Sequence, residues 1–147
     1  MKKLKEKNYC FIAGTKIAMQ DGTEKNIEDV VIGDEVTTYE VETGFKQGGL
    51  VSGLVDHSVP SVMNIVFEDD SVLKCTGSHE IYVKDRGWVR AVELSADDVC
   101  KKLDGSDIII SQVLVEDGDV LVYNLLDVGD NNNFYADNIL VNGEWLS

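Results

Sequence analysis

Ile17-Ala18-Met19-Gln20-Asp21 and Ile81-Tyr82-Val83-Lys84-Asp85 lie 64 residues apart and read alike, each an apolar stretch running into an acidic turn. After a one-residue slip the likeness resumes, with Val31, Gly33, Asp34 and Val36 falling on Leu94, Ala96, Asp97 and Val99. Each half then reads strand, turn, short amphipathic turn, strand, and two such copies predict a pseudo-twofold internal duplication. Outward from this pair, valine- and isoleucine-rich runs recur at 16–19, 27–39 with a break at Gly33, 62–67, 72–75, 80–84, 107–115 and 120–128. Asp, Gly and Ser clusters bound each of them, which is the pattern of short strands joined by turns. Helical periodicity is weak, so any helix is confined to a turn or two near 33–36 and 96–99. The expected fold class is all-β.

The bulk properties set limits on function. A chain of 147 residues with 44% hydrophobic content suits one domain with an apolar core. Its net charge of -14 repels a phosphate backbone, so no nucleic-acid partner is expected. No apolar run reaches the length of a membrane span, and the lysines of 1–7 lead into Asn8 and Tyr9 rather than a greasy stretch. A soluble monomer without a signal peptide and with no membrane partner is expected. Cys10, Cys75 and Cys100 are odd in number, far apart and without a CxxC, which fits neither a disulfide framework nor a zinc site. Reduced thiols in a reducing, cytoplasmic compartment follow, with no metal and no cofactor.

Two segments carry chemistry. Cys10 opens Cys10-Phe11-Ile12-Ala13-Gly14-Thr15-Lys16-Ile17 directly after a charged leader. An isolated cysteine beside a strand is most often an inert core thiol. Further on, Cys75-Thr76-Gly77-Ser78-His79-Glu80-Ile81-Tyr82-Val83 places a histidine at the mouth of a strand, three residues after a threonine, in a loop able to aim both side chains at one point. Cys75 and Cys100 flank apolar strand residues and read as core, as do Tyr82 and Trp88. His57, in Leu54-Val55-Asp56-His57-Ser58-Val59-Pro60, reads as a solvated loop residue.

From Cys10 onward the chain resembles the Hint superfamily of inteins, hedgehog autoprocessing domains and bacterial intein-like domains. The resemblance rests on three blocks in order. The first is the Cys10 to Ile17 segment with Asp21-Gly22 and Ile32-Gly33-Asp34-Glu35-Val36. The second is Thr76-x-x-His79 with Ile81-Tyr82-Val83 and Gly87-Trp88-Val89-Arg90-Ala91-Val92-Glu93-Leu94. The third is Val122-Tyr123-Asn124-Leu125, then Asn133-Phe134-Tyr135-Ala136-Asp137-Asn138-Ile139-Leu140-Val141. The resemblance implies a flat, horseshoe-like fold that brings both chain ends together. It also implies a single-turnover autocatalytic enzyme whose substrate is its own flanking polypeptide.

An amide is planar and unreactive, so its cleavage needs a nucleophile, a proton donor and a held oxyanion. Cys10 reaches the carbonyl of Tyr9 through a five-membered ring, His79 titrates in the range suited to protonating the departing nitrogen, and Thr76 hydrogen-bonds the amide or orients the imidazole. The product is a thioester. At the other end the chain departs from inteins, which close on His-Asn before Cys, Ser or Thr. Here Val141 precedes Asn142, Gly143-Glu144 follow, Asn124 stands where an aspartate is common, and Asn132 where a histidine is often found. No acceptor nucleophile is present for splicing. Asn142 is the candidate for cyclisation, and with Val141 in place of the assisting histidine, deamidation through the Gly143 nitrogen is expected to win.

The stretch from about Asp104 to Leu121 is too short for a homing endonuclease. The expected layout is a flanking segment at 1–9, a Hint-type domain at 10–142 and a second flanking segment at 143–147. Two other readings remain open: a Hint-fold structural or interaction module that no longer cleaves, and a cysteine peptidase acting on other chains.

Overall fold

The computed structural model describes residues 10–145; the flanking residues 1–9, including Tyr9, lie outside them, as does Ser147. Among the described residues twelve strands form one connected sheet system. They are β1 (Phe11–Ile12), β2 (Lys16–Ala18), β3 (Glu24–Asn26), β4 (Glu35–Glu40), β5 (Phe45–Phe67), β6 (Val72–Cys75), β7 (Glu80–Val83), β8 (Gly87–Arg90), β9 (Val99–Lys101), β10 (Asp107–Val128), β11 (Asn133–Ala136) and β12 (Ile139–Asn142). The pairing order is β3-β2-β11-β12-β7-β9-β10-β1-β6-β5-β4, with β8 attached to β7 and β10 also paired to β5. The all-β expectation holds. Among the described residues helix is limited to two three-residue 3-10 turns, Ile27–Asp29 and Ala91–Glu93, each upstream of the segment in which the sequence places it.

Two of the strands are far longer than their sequence runs. β5 has 23 residues and β10 has 22, and they pair antiparallel from Ile110↔Phe67 to Val128↔Val51. Between 111 and 121 β10 is largely exposed on both faces, so no apolar alternation marks that stretch, and pairing to β5 keeps it extended. His57 therefore sits within β5, half-buried opposite Val122, and not in a solvated loop. Pro60, which has no N–H to donate, lies in β5 where β10 shifts register between Asp117 and Val120; the bulge absorbs the missing bond.

The internal duplication is present, and its offset is constant. Ile27 donates its N–H to the Thr15 carbonyl at 2.8 Å, and Ala91 donates to His79 at 2.8 Å, 64 residues on. Val31 N–H is held by the Asp34 carboxylate at 3.0 Å, and Ser95 N–H by Asp98 at 3.0 Å. No slip occurs. Lining up like residues put Asp34 over Asp97, but what repeats is the backbone: Gly33 and Asp97 both take positive φ (95° and 79°), and Asp34 and Asp98 are the equivalent acceptors. Phe11 pairs with Cys75, its own equivalent, so the pseudo-twofold axis passes between β1 and β6.

The main core runs through both halves and includes Phe11, Ile17, Ile65, Leu73, Ile81, Leu125, Phe134 and Val141. β11 and β12 are buried on both faces: Phe134 and Val141 enter the main core, while Tyr135 and Leu140 enter a satellite cluster with Tyr39, Tyr82 and Trp88. Tyr82 and Trp88 thus pack edge to face (centroids 5.2 Å apart) but are only half-buried, outside the main core where the sequence places them. Cys75 and Cys100 do enter the main core. Phe11 matters most for the site, because its ring lies 4.2 Å from that of His79 and 6.0 Å from Phe134. Phe11→Ala is expected to cost about 3–5 kcal/mol, the range for a buried aromatic truncation, read as a fall in the urea midpoint.

Candidate active site

Cys10 lies at the start of β1, fully buried against Val59, Val62 and Val122. Its amide N–H, which belongs to the bond joining it to Tyr9, donates to Thr76 Oγ1 at 3.1 Å. In return the Thr76 N–H donates to the Cys10 carbonyl at 2.9 Å. Thr76 directly follows β6, which lies beside β1 in the sheet, and begins the turn closed by His79 N–H on the Thr76 carbonyl at 3.2 Å. The same turn exists in the first half, where Thr15 N–H reaches the Ile12 carbonyl at 3.3 Å. Thr15 there spends its hydroxyl on its own turn, bonding the Ile12 carbonyl at 2.8 Å; the second copy carries His79 instead.

His79 is buried, and its Nε2 lies 2.8 Å from the Asn142 carbonyl oxygen. A carbonyl only accepts, so Nε2 carries the hydrogen. One turn of chain, Thr76 to His79, thereby holds both ends of the domain: Cys10 at its first residue and Asn142 at its last. The sequence-predicted set Cys10, Thr76, His79 and Asn142 is brought together. Cys100 lies in the main core and His57 opposite Val122 in β5, and among the described residues no group of three or more His, Cys, Asp and Glu could hold a metal ion.

The structure adds residues that motif reading passes over. Val141 of β12 pairs with Ile81 of β7, which sets Asn142 across from Glu80, and Asn142 Nδ2 donates to Glu80 Oε1 at 2.7 Å. Beyond β12, Gly143 N–H donates to the Asn132 carbonyl at 2.7 Å. This close approach requires glycine, because a Cβ there would lie 2.5 Å from Asn132 Oδ1. Asn132 holds the bend with φ of 50°, its Oδ1 taking the Val128 N–H at 2.8 Å. Glu144 then bridges in parallel to Leu126, and its carboxylate accepts a long hydrogen bond of 3.4 Å from the buried Asn124.

The thiols are held protonated. Burial pushes Cys10 from 9.0 up to about 12, reinforced by the negative charges of Glu144 and Asp56. Burial raises Cys75 as well, and raises Cys100 to about 12 with help from Asp98. All three are free cysteines. Cys10 is therefore no standing thiolate, and any attack it makes has to shed its proton within the site.

Comparison with known proteins follows this geometry. A bacterial intein-like domain from Clostridium thermocellum has 27% sequence identity and a TM-score of 0.84, covering 91% of this chain and 98% of that one. The DnaB intein from Synechocystis sp. PCC 6803 shares the fold at 22% identity and TM-score 0.82, over 92% of this chain and 99% of that one. The gp41-1 intein shares it at 20% identity and TM-score 0.74, over 92% and 98%. No protein-family model and no curated protein matches the chain. The chain has the Hint/intein-type fold.

Proposed function

We propose that this domain cleaves the bond between Tyr9 and Cys10 in itself, once, through a thioester. The observation that carries the reading is the 3.1 Å hydrogen bond from the Cys10 amide to Thr76 Oγ1, made in the turn that also presents His79. Cys10 Sγ attacks the Tyr9 carbonyl carbon, and the bond from that carbon to the Cys10 nitrogen breaks. His79 takes the thiol proton and hands it to the departing nitrogen, so the step needs no outside reactant. Thr76 holds that nitrogen by accepting its N–H. The result is a Tyr9 thioester on Sγ and a free amine on Cys10, which water, a thiol or an amine then resolves.

On this reading residues 10–142 are the processing domain, and 1–9 and 143–147 are its flanks. Ligation of the flanks is not expected, since Gly143 has no side chain and Glu144 only a weakly nucleophilic carboxylate. β9 and the first part of β10 occupy the interval between the second and third sequence blocks, where an endonuclease insertion would have to sit. The test is mass spectrometry of the purified chain with and without dithiothreitol. Two fragments that meet at Tyr9–Cys10, with the thiol hastening release, are expected. An intact mass under both conditions would instead favour a non-cleaving interaction module.

A further inference from the structure

We propose that Glu80 is the base that turns Asn142 against its own carbonyl, so that the chain also cuts itself between Asn142 and Gly143; the inference rests on the self-processing reading above. Three contacts converge on the Asn142–Gly143 bond. The nucleophile, Asn142 Nδ2, donates to Glu80 Oε1 at 2.7 Å. The electrophile's oxygen, Asn142 O, accepts from His79 Nε2 at 2.8 Å. The leaving nitrogen, that of Gly143, is held on the Asn132 carbonyl at 2.7 Å. Base, oxyanion donor and leaving-group support are thus all placed, with no contribution from Val141.

The atoms balance without water or a redox partner. Asn142 Nδ2 attacks the Asn142 carbonyl carbon while one of its protons passes to the Glu80 carboxylate. Negative charge develops on the carbonyl oxygen against the His79 N–H. The bond to Gly143 then breaks, the proton on Glu80 is delivered to the Gly143 nitrogen, and Asn142 is left as a C-terminal succinimide. Deamidation, by contrast, needs the Gly143 nitrogen to attack the Asn142 side chain. That nitrogen is pinned to Asn132, where a Cβ at position 143 would find no room, and the carboxamide is drawn across the sheet to Glu80. The sequence-based expectation that deamidation prevails weighs only the residues flanking Asn142; the assisting groups proposed here come from β7, the turn before it and the bend before β11.

The experiment uses the full chain with a second protein fused after Ser147, in parent, Glu80→Gln, Glu80→Asp and Cys10→Ala forms. Expected in the parent is a released fragment beginning at Gly143, its partner lighter by one water than the free acid. Cys10→Ala keeps this cleavage. Glu80→Gln slows it by about 100-fold or more, the range for loss of a positioned base, and Glu80→Asp restores part of it. Dithiothreitol-driven release at Cys10 continues in Glu80→Gln and certifies that the variant is folded. Cleavage in Glu80→Gln within twofold of the parent, or a parent that only deamidates while remaining intact, overturns the proposal. Loss of release at Cys10 in the parent, with cutting at Asn142 retained, would instead count against the thioester reading and leave Glu80 standing.

Discussion

Cys10→Ala is expected to release nothing at its N-terminal side, with or without dithiothreitol, while remaining folded. The thiol is one sulfur in a small cluster with Val59, Val62 and Val122, so its removal leaves a cavity of about one methyl group and a cost of about 1 kcal/mol. No other group takes over. Cys75 and Cys100 are buried in the main core, a cluster separate from the one that holds Cys10. The parent reaction should quicken as pH rises through the neutral range. With the Cys10 thiol pushed up to about 12, the thiolate is scarce at neutral pH and grows about tenfold per pH unit below that value. Thiol-driven release that persists in Cys10→Ala would falsify the assignment, and a thermal melt of the variant checks the fold.

His79→Ala should fail at both ends at once. Thioester formation loses its proton carrier, and cutting at Asn142 loses the donor that sits 2.8 Å from the carbonyl oxygen. A slowing of about 100-fold or more is expected at each bond. This separates His79 from its neighbours, since Glu80→Gln is expected to affect Asn142 alone and Cys10→Ala the N-terminal bond alone. The ring also packs on Phe11 at 4.2 Å, so part of any loss could come from packing. His79→Gln, which fills much of the space without carrying a proton, controls for that. Rates within twofold of the parent at both bonds would reduce His79 to a structural residue.

How far the sequence led depends on whether a relation runs along the chain or across the sheet. Cys10, Thr76 and His79 were legible because a residue order and a four-residue turn carry them. The duplication was legible from Ile17 to Asp21 against Ile81 to Asp85. Its constant offset was not, since Gly33 and Asp97 are equivalent by backbone conformation and differ in type. Glu80 went unread because its role exists only once β7 lies beside β12, a pairing between residues some sixty positions apart. The sequence reading breaks β10 into pieces, since its exposed stretch has no buried face to impose a period of two.

The order of strands in the sheet also sets a schedule. β1 is wedged between β6 and β10, and Asn142 lies on the final strand, beside β7. During synthesis Cys10 emerges more than a hundred residues ahead of its neighbours Val122 and Tyr123, and Asn142 follows them. Pairings of such long sequence separation form late and slowly. A nascent chain therefore carries its nucleophile exposed to no organised site until nearly the whole domain has left the ribosome. On the proposed self-processing reading, the topology acts as a timer, keeping the backbone whole until translation has delivered both of the bonds to be cut.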